Sequence, residues 1–90
     1  MSKIGLIQSL VSEGLYYLSE HAIEEADADG IDIYDVECGL LTGRMRRTWP
    51  RERKYELIGK SFDGRTIGVV CQLTSGGKIR VITIYADNPV

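Results

Sequence analysis

At Gly43 the apolar residues of this chain change period. Before it they recur at the spacing of an α-helix; after it they fall in runs rich in β-branched and aromatic residues, separated by turn signals. Ninety residues with one such switch read as a single α+β domain, helical over 1–43 and sheet over 44–86. The sheet must then bury one face under the helices.

Three helices are predicted in the first part. Ser2 caps Lys3 to about Glu13, with Ile4, Ile7, Leu10 and Val11 on one stripe and Gly14 as the stop. Ser19 caps the second, Glu20 favours its dipole, Ala22, Ile23 and Ala26 form a narrow apolar side, and Gly30 ends it. Asp32 caps the third and Asp35 completes a capping box. Its buried stripe is Ile33, Val36, Leu40 and Leu41.

The second part is a three- or four-stranded antiparallel meander. Its segments are Arg44–Trp49, Tyr55–Phe62, Thr66–Leu73 and Ile79–Tyr85. Asp63-Gly64 and Gly76-Gly77 are hairpin signals. Read as two-residue loops, they pair Phe62 with Arg65, Ile58 with Val69, Leu73 with Arg80 and Cys71 with Ile82. The core face then holds Ile58, Ile67, Val69, Cys71, Leu73, Ile82 and Ile84. The opposite face holds Tyr55, Leu57, Gly59, Gly68, Val70, Gln72, Val81, Thr83 and Tyr85, and is left partly open. A slip of one residue would exchange the faces.

A net charge of −2 conceals a segregation. Residues 1–43 carry nine acids and only Lys3 as a base, a net of −8; residues 44–90 carry ten bases and four acids, a net of +6. Only the basic part attracts polyanions. No apolar run approaches the roughly 20 residues of a membrane span, and no signal peptide is recognised. Cys38 and Cys71 lie in unrelated apolar segments, which fits two reduced thiols in a cytoplasm rather than a disulfide or zinc framework.

Few residues suggest chemistry. His21, the only histidine, has the intrinsic pKa for acid–base work but no HxxxH partner; a structural or exposed role is the plainer reading. The acids Glu24, Glu25, Asp27, Asp29, Asp32 and Asp35 fail the EF-hand pattern. They read as a solvated face, or as a surface that docks a basic partner or repels nucleic acid. Arg44, Arg46, Arg47, Arg51, Arg53 and Lys54, interleaved with Trp49 and Tyr55, have the composition of an RNA-contacting ribbon: cations for phosphates, rings for unstacked bases. An edge strand kept charged against aggregation has the same composition. There is no nucleophile elbow and no phosphate-cradling loop, so no cofactor is implied.

The order of several short motifs adds a resemblance. Leu18-Ser19-Glu20-His21-Ala22, Ala28-Asp29-Gly30-Ile31-Asp32, Asp35-Val36, Leu40-Leu41-Thr42-Gly43, Asp63-Gly64-Arg65 and Ile82-Thr83-Ile84-Tyr85 follow one another. In that order they resemble the bacterial domain of unknown function family 4258, which is similar to the BrnT and MqsR toxins of the RelE/ParE-like superfamily. The resemblance spans about residues 4–86. It implies a RelE/BrnT-like fold, with three N-terminal helices on one face of a twisted antiparallel sheet and RNA on the other. It also implies a metal-independent endoribonuclease, the toxin of a type II toxin–antitoxin pair. The cognate antitoxin, in MqsR-like pairs, carries a zinc-binding domain. Gln72 and Tyr85 are the carried-over active-site positions, joined by His21 or Arg80. The alternative is a non-catalytic protein-binding module of the same fold.

Overall fold

The fold is that of a computed structural model, which describes residues 2–87. Helix α1 (Lys3–Ser12) is followed by a short strand β1 (Tyr16–Leu18), then helices α2 (Glu20–Ala28) and α3 (Ile33–Thr42). Strands β2 (Arg44–Trp49), β3 (Lys54–Lys60), β4 (Thr66–Leu73) and β5 (Ile79–Ala86) complete the sheet, with a 3₁₀ turn at Pro50–Glu52. No helix among the described residues is long and apolar enough to cross a membrane.

The helix caps are those the sequence requires. The Ser2 hydroxyl accepts from the Gly5 amide, Ser19 from Ala22, and Asp32 and Asp35 make a reciprocal capping box. At the other end of α3, the Gln8 side-chain amide donates to the carbonyls of Leu40, Leu41 and Gly43 at 3.1, 3.2 and 3.1 Å. It thereby satisfies acceptors that a helix C-terminus leaves open. Of the three predicted stripes, Ile7, Val11, Ala22, Ala26, Val36 and Leu40 are buried, whereas Ile23, Ile33 and Leu41 are exposed.

Among the described residues the sheet has five strands in the order β1-β5-β4-β3-β2, not three or four. The extra one is β1, which interrupts the helical half and pairs in parallel with β5, Tyr16 opposite Ile79 and Leu18 opposite Val81. It is only three residues long, and α2 takes over the β5 edge where it ends. The Ser19 amide donates to the Val81 carbonyl, its hydroxyl to that of Ile82, and the Ile84 amide donates to Glu25. On the helix side the Tyr16 hydroxyl donates to Glu37 at 2.7 Å. Burial, reinforced by that carboxylate, pushes the phenol up to about 12.

The two hairpins differ from the expected register by one residue. Ser61 donates to the Arg65 carbonyl and Gly64 to that of Ser61, so the first loop is the three residues Phe62-Asp63-Gly64. Thr74 donates to Lys78 and Gly77 to Thr74, a second three-residue loop over Ser75-Gly76-Gly77. In each, only the last glycine takes a positive φ, 86° at Gly64 and 78° at Gly77. That is the three-residue hairpin with its αL residue in third place, not a two-residue turn. Ile58 therefore lies opposite Gly68, and Cys71 opposite Val81.

The consequence falls on two strands. In β3 the helix face carries Tyr55 and Leu57, both buried, and Ile58 turns to the other side. In β5 Val81 is buried in place of Ile82, and a bulge beside Val70/Cys71 returns Ile84 to the core. Strand β4 keeps its predicted face, with Ile67, Val69, Cys71 and Leu73 buried. The core lies between this face and the three helices, α3 over β3 and β4, α2 over β5, and α1 against α3 and β5.

Candidate nucleic-acid interface

The helices occupy one side of the sheet, so the other side presents side chains outward. The register aligns them in rows, because cross-strand partners project to the same face. One row crosses all five strands: Tyr17, Arg80, Gln72, Lys54 and Trp49, each opposite the next. At about 4.8 Å per strand it is roughly 19 Å wide. Two aromatic rings close its ends, and two cations and an amide lie between. The Gln72 amide donates to the Glu52 carbonyl at 2.9 Å, and Lys54 is 3.9 Å from the Glu52 carboxylate.

Alongside this row the edge strand β2 adds bases. Arg44 lies opposite Ile58 and Arg47 opposite Glu56, both on the open side; the Arg47 guanidinium sits over the Trp49 ring at 5.8 Å. Arg46 occupies the bulge between Met45 and Arg47 and reaches across the sheet. Arg51 lies in the 3₁₀ turn and Arg53 just beyond it, both exposed. Tyr55 does not join them: it is 5% exposed in the core, because the register places it under the helices.

Arg46 ends in a cluster that sequence reasoning located only in part. Its guanidinium donates to the Tyr85 hydroxyl at 3.1 Å and to Asp87 at 3.1 Å, and lies 3.8 Å from Glu56. Tyr85 in turn donates to Glu56 at 2.5 Å. The Tyr85 ring packs against Gly68, where a Cβ would come 2.0 Å from Cζ, so only glycine leaves it room. Burial first, then the Glu56 carboxylate, raises the Tyr85 pKa above its ordinary 10.0. Glu56 itself is 8% exposed and went unrecognised in the sequence. The signal for it was present: an acid inside the apolar run Tyr55-Glu56-Leu57-Ile58. Tyr17 was missed with β1.

The four expected catalytic residues are not brought together. Gln72 and Arg80 are cross-strand neighbours in the row. Tyr85 lies opposite Gly68, four residues along β4 from Gln72, a distance of roughly 13 Å. His21 projects from α2 into solvent, with its side chain 66% exposed and Nε2 3.3 Å from Glu25. Among the described residues its only ionic partner is Glu25, and no three His, Cys, Asp or Glu converge as a metal site.

A second arginine cluster includes the Asp63-Gly64-Arg65 motif and has a different character. Arg65 donates through Nη1 to the Asp29 carbonyl at 3.0 Å, through Nη2 to that of Gly30 at 2.9 Å, and through Nε to Asp63 at 3.1 Å. Buried Asp35 accepts from the Phe62 and Asp32 amides at 2.9 and 3.1 Å and lies 3.8 Å from Arg65. The hairpin is thereby clasped to the α2–α3 junction. The Ser61 hydroxyl and then Arg65 hold the Asp63 carboxyl below its ordinary 3.8.

The model of one protein family, described as domain of unknown function (DUF4258), matches residues 18–86. The chain belongs to that family. The matched DUF4258 region runs from the last residue of β1 through β5 and contains both arginine clusters, whereas α1 precedes it. No curated protein and no solved structure matches the chain.

Proposed function

We propose that the open sheet face binds single-stranded RNA. The observation that carries this reading is the row Tyr17, Arg80, Gln72, Lys54, Trp49 beside the arginines of β2. Aromatic rings stack on unpaired bases regardless of sequence, and cations between them meet the phosphates. The acidic helices lie on the opposite side of the sheet, where they do not oppose this contact.

The endoribonuclease reading places its chemistry at the Arg46–Tyr85–Glu56 cluster. Glu56 would take the ribose 2′-OH proton as that oxygen attacks phosphorus, and Arg46 would neutralise the charge developing on the phosphoryl oxygens. The P–O5′ bond breaks, leaving a 2′,3′-cyclic phosphate. The 5′ oxygen takes its proton from Tyr85, which recovers one from Glu56. A cytoplasmic toxin partnered by a cognate antitoxin, zinc-binding as in MqsR-like pairs, is the biological form of this reading. The separation of His21, Gln72 and Tyr85 favours a face without catalysis; in the alternative, a non-catalytic protein-binding module of the same fold, a partner protein is held through the sheet or the acidic helices.

Anisotropy of a labelled oligouridine across salt concentrations tests the binding. With about four phosphates neutralised, log K should fall with log[salt] at a slope near −3. Arg80→Ala and Lys54→Ala should each flatten that slope by about 0.7. Trp49→Ala and Tyr17→Ala should each weaken binding by about 1–3 kcal/mol and leave the slope alone. Absence of binding at low salt would sink the proposal. Loss of cyclic-phosphate product in Glu56→Gln, with binding intact, would select the nuclease; RNA bound but never cut selects a non-catalytic RNA-binding face.

A further inference from the structure

On the helix side, α3 leaves a second apolar stripe uncovered. Tyr34, Cys38 and Leu41 follow one another at positions i, i+4 and i+7, on one line of the helix. Facing them from the β3–β4 loop is Phe62, and between them runs an open groove of about 970 Å³. Tyr34 is 72% exposed and Phe62 82%, and Leu41 is exposed beside them. A 90-residue chain has few apolar side chains to spare from its core, so large rings left outside it mark a contact surface.

The rim of this groove is anionic. Asp32, Glu37 and Asp63 border it. Among the described residues its one cation is Arg65, which already serves Asp63 and the Asp29 and Gly30 carbonyls. We propose that the groove docks a basic amphipathic helix of a partner protein, whose apolar side chains seat against Tyr34, Leu41 and Phe62 and whose Lys or Arg residues meet the acidic rim. A symmetric dimer of this chain would set one acidic rim against its copy, which like-charge repulsion opposes. The inference is independent of RNA binding, which uses the other side of the sheet.

Cys38 supplies the reporter. It is half-buried in the groove, whereas Cys71 is fully buried and its thiol is pushed up to about 12, so a thiol reagent reads Cys38. The probe is a synthetic helical peptide of about 16 residues, leucine on one face and lysine on the rest, long enough for roughly four turns. Its control carries glutamate in place of lysine. At saturation the lysine peptide should slow Cys38 alkylation by iodoacetamide at least about fivefold, and the glutamate peptide should leave it unchanged. Phe62→Ala, which removes an exposed ring and spares the core, should weaken the lysine peptide about tenfold at an unaltered unfolding midpoint. Arg46→Ala should not affect it. Equal protection by both peptides would overturn the proposal, as would protection indifferent to Phe62→Ala. So would Phe62-dependent self-association of the protein alone in sedimentation.

Discussion

Arg65 and Arg46 each sit among carboxylates, and the molecule uses them in opposite ways. Arg65 spends its donors on backbone carbonyls at the end of α2 and on Asp63, inside a junction that also holds buried Asp35. Among the described residues Arg46 bonds to no backbone carbonyl; its partners there are the side chains of Tyr85, Asp87 and Glu56, on a face that no helix covers. The difference separates a clasp from a site. Groups bonded to main chain fix the fold, whereas groups bonded only to one another can exchange partners with a ligand at little structural cost.

The largest expected effect is at the clasp. Arg65→Ala removes the charged donor of the Asp29 and Gly30 carbonyls and the cation nearest the buried Asp35, which keeps its two amide donors, and should cost about 2–3 kcal/mol in urea unfolding. RNA affinity of the folded fraction should be unchanged. Weakened binding at full stability would reverse the assignment of the two arginines. Next comes Gly68→Ala, whose methyl must displace the Tyr85 ring, at about 1–3 kcal/mol. Paired with Tyr85→Ala, it should cost less than the sum of the single changes, as a double-mutant cycle will report. Arg46→Ala should lower stability by at most about 1 kcal/mol because its guanidinium is exposed and the buried partner, Glu56, keeps the Tyr85 hydroxyl as a donor. Its RNA affinity should nevertheless drop several-fold.

The smallest effects separate the clusters by pH. Asp63 has a depressed folded pKa, so its contribution is present above its ordinary 3.8 and disappears as the pH falls through the lower folded value. Tyr85 has a raised one, so its contribution is complete below 10.0 and is lost as the pH climbs through the higher folded value. The stability gap between wild type and Asp63→Asn should therefore close in acid, and that between wild type and Tyr85→Phe in alkali. Gaps that close together would show the two clusters to be one.

What could be read beforehand was what depends on near neighbours. Ser2, Ser19 and the Asp32/Asp35 box announce their helices because a cap involves residues three apart. The partition of charge was equally plain. The strand register was not, since Asp63-Gly64 and Gly76-Gly77 suit either a two- or a three-residue loop, and one residue of difference moved Tyr55 into the core and Ile58 out of it. Strand β1 escaped because three residues cannot display an alternation. The groove was not legible: of the six acids read as a possible dock only Asp32 and Asp35 line it, and Leu41 reads as core from its helical spacing.

The pairing of Tyr16 with Ile79 spans most of the chain. During synthesis the helices emerge first, yet the strand that lines up between β1 and β4 comes last. Until β5 arrives, α2 has no sheet edge to cover, and Val11, Ala22 and Ala26 lack the wall they pack against. Assembly is thus governed by a late, long-range closure, which slows folding relative to local contacts. Truncation before residue 79 should leave no partially functional domain, only an unclosed one.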